Sequence, residues 1–80
     1  MANKLKIGDV CLVENSSVES LVFWKQMSKR YPYLLCPCSI KSTTKLVVAG
    51  LLGSSRVLVQ LQADPKKLSV FLSKDLKVCH

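Results

Sequence analysis

The residues best suited to chemistry are three thiols and an imidazole: Cys36 and Cys38 on either side of Pro37, and the adjacent pair Cys79-His80. Together they would satisfy a tetrahedral zinc ion. Their spacing argues against that use. Structural zinc sites mostly draw on two cysteines separated by two to four residues, and a Cys-x-Cys pair is too tight for most such knuckles. Residues at a chain end also anchor a metal poorly, because termini fray. The expected state is therefore reduced thiols acting as small apolar side chains, with Cys11 as plain core and neither metal nor cofactor bound. Catalysis has less support still. The single His is terminal, no two carboxylates stand at a telling spacing, and no glycine loop is suited to cradling phosphates. The expectation is a non-enzymatic protein without a small-molecule substrate.

Charge and aromatic residues point to binding. Twelve Lys/Arg against five Asp/Glu give a net charge of +7, which draws polyanions and acidic protein surfaces. Lys25, Lys29 and Arg30 fall on one arc of a helical pattern, with Lys41, Lys45 and Arg56 following in sequence. Lysines and arginines so placed bind phosphates through counterion release, and Tyr31 and Tyr33 offer faces on which bases could stack. This makes nucleic acid the leading expected partner. The plainer reading is a solvated helix face whose aromatics belong to the core. The alternative partner is a protein. Phe23-Trp24, Tyr31-Pro32-Tyr33 and Phe71 would suit an aromatic hot-spot surface on a small module or inhibitor, and an exposed edge near Cys36–Ile40 could pair with a partner strand. A hydrophobic content of 49% and a mean hydropathy of +0.25 are high for 80 residues. Part of that apolar surface is expected to be covered by a partner or by a second copy of the chain.

The elements that must position these residues are read from periodicity. Val57, Val59 and Leu61 alternate within Arg56–Gln62, and Leu68, Val70 and Leu72 alternate opposite Ser69, Phe71 and Ser73, so both stretches read as strands. Asp64-Pro65 marks the loop between them. Ser73-Lys74-Asp75 is a polar turn leading to a short strand with Leu76 and Val78. Leu58 and Phe71 are the apolar residues expected to face outward, toward the middle of the chain or a partner. Near the start, Leu5, Ile7, Cys11 and Val13 share one parity, with a turn or bulge at Gly8-Asp9. Ser16 and Glu19 form a capping box. The helix so announced spans Ser17–Arg30, turns Leu21, Phe23, Trp24, Met27 and Tyr31 inward, and ends ahead of Pro32. Lys45–Leu52 is apolar on both faces and suits a doubly buried or bent strand, with the bend at Gly50.

The opening Ile7-Gly8-Asp9-Val10-Cys11-Leu12-Val13, together with Val57-x-Val59-x-Leu61, Leu68-x-Val70-x-Leu72 and Leu76-Lys77-Val78, resembles SH3-like barrels of the KOW, Tudor and retroviral-integrase C-terminal kind. The resemblance covers about half of the chain. It implies a mainly β or α+β fold, a small SH3-like barrel of about five strands with an amphipathic helix inserted near residues 17–30. It also implies nucleic-acid binding, as in many members of those families; a Tudor-like aromatic cage would need more aromatics than Phe71 alone. The 15–44 segment is far longer than the usual first loop of such barrels, so specific function is expected there. The chain reads as one domain over 1–80, with 1–14 the first strand, 15–44 the insertion and 45–78 the remaining strands. Met1-Ala2-Asn3-Lys4 carries no leader pattern. No apolar run approaches the length of a membrane span. A cytoplasmic or nuclear, reducing location follows as the expectation.

Overall fold

A computed structural model describes residues 5–79. The fold is mostly β with one helix: β1 (Val10–Val13), α1 (Val18–Arg30), β2 (Leu46–Leu51), β3 (Arg56–Leu61), β4 (Leu68–Leu72) and β5 (Leu76–Val78), with 3₁₀ turns at Pro37–Ser39 and Ser73–Asp75. The five strands form one antiparallel sheet in the order β4-β3-β2-β1-β5. β1 to β4 are neighbours in sequence order, while β5 returns across the sheet to pair with β1. The Ser73–Asp75 turn makes that return possible by redirecting the chain straight after β4.

Alternation becomes burial in β2 and β3. Leu46, Val48, Val57 and Val59 are closed off from solvent and join Leu5, Cys11, Val13, Ile40, Phe71 and Leu76 in the main core. The register of β2 against β3 shifts between Val48 and Gly50. The bend therefore lies at the glycine, where a bulge of this kind re-aims a strand.

Two faces of the sheet were open to assignment, and β4 takes the one opposite to expectation. Val57 pairs with Phe71 and Val59 with Ser69, so Phe71 and Ser69 share the main-core face with the valines. Leu68, Val70 and Leu72 point to the other face, where Phe23, Trp24, Met27 and Leu34 cover them. Phe71 is thus corrected from an outward, partner-binding residue to a fully buried core one. Leu58 does meet the helix. The physical reason is that α1 adds a second apolar layer, so β4 is buried on both sides.

The opening segment is also corrected in part. Gly8 has φ +96°, and the Asp9 carboxylate accepts from the Lys6 amide at 2.9 Å, so a turn forms at Gly8-Asp9. Leu5, Cys11 and Val13 are buried, whereas Ile7 lies on the turn and is exposed.

α1 begins one residue later than its capping box implies. Ser17 is the N-cap, with an extended backbone (φ −79°, ψ 152°), and its Oγ accepts from the Ser20 amide at 3.2 Å. Glu19 does not close the box. It pairs with Lys74 at 2.7 Å, both side chains well exposed. The stronger partner is Asp75. Its Oδ2 accepts from the Ser17 amide (3.2 Å), Ser17 Oγ (2.5 Å) and Ser20 Oγ (2.5 Å), and Ser20 Oγ in turn accepts from the Leu72 amide at 3.0 Å. The Asp75 carbonyl also takes the amides of Glu14 and Asn15 at 2.7 and 3.1 Å. A buried carboxylate is costly unless its lone pairs are satisfied. Here three donors and the positive end of a helix surround it.

Candidate binding seam between helix and sheet

α1 lies on β4, reaching β3 only through side chains such as Phe23 under Arg56, and two depressions remain along the seam. The first, about 440 Å³, is lined by Val18, Val22, Phe23 and Gln26 from the helix and by Ser55, Arg56 and Leu72 from the sheet, with Glu19 at its margin. The second, about 270 Å³, is lined by Met27, Tyr31, Tyr33, Leu34, Leu52, Leu58 and Val70. Arg56 stands at the first depression with its guanidinium carbon 5.1 Å from the centre of the Phe23 ring, a cation–π contact.

The Tyr31-Pro32-Tyr33 turn shapes the second depression. The Tyr31 amide donates to the Met27 carbonyl at 2.9 Å and closes the helix, and the Leu34 amide donates to the Tyr31 carbonyl at 3.1 Å. Pro32 prevents another helical turn. The two phenol rings meet edge to face, centroids 6.0 Å apart and planes at 64°. Downstream the turn is fixed by Trp24, whose indole N–H donates to the Leu34 carbonyl at 3.1 Å. Leu35 then docks on the rim of β4: its amide donates to Leu68 at 2.8 Å, and its carbonyl accepts from Ser69 Oγ at 2.8 Å.

The residues expected to bind a protein partner therefore separate by role. Tyr31 and Tyr33 are 38% and 59% exposed and line the second depression. Phe23 is buried under Arg56, Trp24 is half-buried as a structural donor, and Phe71 lies in the main core. Exposed Val18, Val22 and Leu52, none of them expected, extend the apolar surface. Val22 could have been found as an apolar residue on the helical arc that also carries Lys25 and Lys29. Leu52 gave none, because a residue at a hairpin end has no period to violate.

The residues expected to bind nucleic acid divide as well. Lys25, Lys29 and Arg30 are exposed on the last turns of α1 and run directly into Tyr31 and Tyr33. Lys45 lies where β2 begins, its carbonyl accepting from Gln62, while Arg56 opens β3 at the far end of the same ladder. Six strand residues at about 3.3 Å each set those two on the order of 20 Å apart. Lys41 is in the polar turn before β2, an exposed position. Lys45 and Arg56 therefore do not belong to one compact patch.

The thiols are dispersed too. Cys11 is buried, and burial first, then the Asp9 charge and Cys79, pushes its thiol up to about 11. Cys36 and Cys38 sit on the Pro37–Ser39 turn, their sulfurs 2.7 Å apart. That turn corrects the expectation of an exposed strand edge over Cys36–Ile40: Pro37 and Ile40 are buried, and only Leu35 makes a strand-like bridge, to Ser69. His80, offered as a fourth metal ligand, lies outside the described residues. Among the described residues no group of three or more Cys, His, Asp or Glu side chains converges on a metal position. Nor, among them, is any helix long and apolar enough to cross a membrane. Comparison with protein-family models, curated proteins and solved structures finds no match to this chain.

Proposed function

We propose that this chain is a non-enzymatic binding module on an SH3-like barrel scaffold, and that its helix–sheet seam grips an acidic protein segment bearing bulky apolar side chains. Three features support the scaffold reading: the strand order, the bend at Gly50, and a 3₁₀ turn between the last two strands. The observation that carries the binding reading is the second depression. Its floor is aliphatic (Met27, Leu34, Leu52, Leu58, Val70), and two exposed tyrosines stand at its mouth. An apolar side chain gains from such a floor, whereas a nucleobase would bury its polar edge there without partners. Arg56 beside the first depression and the net charge of +7 favour an acidic segment. Among the described residues the deeply buried carboxylate, Asp75, is engaged by Ser17 and Ser20, which supports binding over acid–base chemistry.

A second reading, single-stranded nucleic acid along Lys25, Lys29, Arg30, Tyr31 and Tyr33, is favoured by the continuity of basic and aromatic residues at the end of α1. Selection from a random peptide library separates the two. The protein reading expects enriched peptides that combine acidic with aromatic or aliphatic residues and lose binding to Tyr33→Ala and Leu52→Asp variants of unchanged circular dichroism. A library that yields nothing, beside an oligonucleotide whose affinity falls steeply with salt and less steeply for Lys25/Lys29/Arg30→Ala, would replace it with the nucleic-acid reading.

A further inference from the structure

The Cys36-Pro37-Cys38 turn is built with more care than two spare thiols require. Pro37 is buried, Leu34 before it belongs to the helix cluster, and Ile40 after it belongs to the main core, so both ends of the turn are anchored. The Cys36 carbonyl accepts from the Ser39 amide at 2.9 Å and from Ser39 Oγ at 2.7 Å, and the Ile40 amide donates to Pro37 at 3.2 Å. The residue between the cysteines is the one whose φ is fixed by its ring. On this frame the two sulfurs face each other at 2.7 Å, closer than two non-bonded sulfurs normally sit, with Cys38 exposed and Cys36 part-exposed. A disulfide needs about 2.05 Å between sulfurs, so small side-chain rotations close the gap.

We propose that Cys36 and Cys38 form a thiol–disulfide exchange site whose substrate is a low-molecular-weight disulfide. The exposed Cys38, as thiolate, attacks one sulfur of the small disulfide. A mixed disulfide forms, and one small thiolate leaves. Cys36, as thiolate, then attacks the Cys38 sulfur, closing the Cys36–Cys38 bond and expelling the second small thiolate. The protein loses two electrons and two protons, and the one small disulfide becomes two thiols. The neighbouring Cys36 thiol holds the Cys38 thiol above its ordinary range, so the attacking thiolate is scarce at neutral pH and exchange speeds up only as the pH rises. The anchored turn raises the effective concentration of one sulfur at the other, which favours ring closure over a lasting adduct. The site is independent of what the helix–sheet seam binds.

The test is equilibration of the reduced full chain with mixtures of reduced and oxidised glutathione, followed by acid quench, alkylation and intact mass. The expected product has two of the four thiols protected, no glutathione attached, and the bond mapped to Cys36 and Cys38. Cys36→Ser and Cys38→Ser should each stop at a glutathione adduct or stay reduced, while Cys79→Ser should cyclise like the parent. Ring closure should be roughly tenfold or more favourable than in the same chain unfolded in urea, because the native turn pre-orients the sulfurs. A native constant no larger than the urea value overturns the proposal, as does a parent protein that accumulates only adducts or bonds through Cys79.

Discussion

The two faces of the sheet solve different problems. On the inner face, Leu46, Val48, Val57, Val59, Phe71 and Leu76 are closed off and packed from both sides of the fold. On the outer face a single helix covers Val70 and half-covers Leu58, Leu68 and Leu72, leaving a seam flanked by exposed Val18, Val22, Tyr31, Tyr33 and Leu52. Both faces are apolar, yet only the first is finished. The difference shows that apolar character alone does not mark a core. Coverage on every side does, and where it stops the same side chains become a surface that another molecule can complete.

Substitutions that compare the faces test this division. The largest effect belongs to Phe71→Ala, which opens a cavity where nothing can collapse inward: a loss of about 3–5 kcal/mol in urea unfolding. Phe23→Ala should cost distinctly less, because the adjoining depression admits water to part of the space. Equal losses would mean that the outer layer is as closed as the inner one. Asp75→Ala ranks next. It strips the acceptor from two hydroxyls and one amide and should cost about 2–3 kcal/mol, with Asp75→Asn, which keeps an oxygen there, recovering roughly half of that. An Asn variant as weak as Ala would show that the charge, not the acceptor, holds the helix.

Cys11 gives a test of the inner face that needs no cavity. Its thiol is held protonated in the folded chain to about 11, against an ordinary value of 9.0. Below pH 9 both states carry the proton and the thiol adds no pH dependence. Between 9 and 11 the unfolded chain ionises first, so stability falls as pH rises, by about 2.7 kcal/mol in all. Cys11→Val should flatten the part of the alkaline loss that exceeds lysine titration, and identical pH profiles for the two proteins would place solvent next to Cys11. The smallest effect is at the seam itself: Val22→Ser should change stability by less than about 0.5 kcal/mol, while weakening any ligand of the first depression.

How much of this could be read from the residues alone follows the same division. Strands β2 to β5, the bend at Gly50, the turn at Gly8 and the span of α1 were legible, because periodicity and turn chemistry act over a few residues. Which face of β4 looks inward was not. In Leu68-Ser69-Val70-Phe71-Leu72 both parities carry large apolar side chains, and only pairing with Val57 and Val59 decides between them. The helix cap was misplaced by one residue for a related reason. Ser16 and Glu19 satisfy a local rule, but Asp75, far off in sequence, selects Ser17. Tyr31 and Tyr33 were identified from type and neighbourhood. Arg56 was assigned to a basic patch, yet its place over Phe23 depends on a helix crossing that no spacing encodes.

The Asp75 contacts also set an order of events. The acceptor that completes the start of α1 lies 58 residues downstream of Ser17, beyond every strand but β5. A chain emerging from synthesis N-terminus first therefore carries an unfinished helix, its Ser17 and Ser20 hydroxyls without this partner, until Asp75 arrives. Joining the two ends requires closure of a loop spanning most of the molecule, a slow, non-local step. A chain cut short before Asp75 would keep its apolar helix face but lose the contact that seats it. Such fragments are the ones a cell's proteases and chaperones should recognise first.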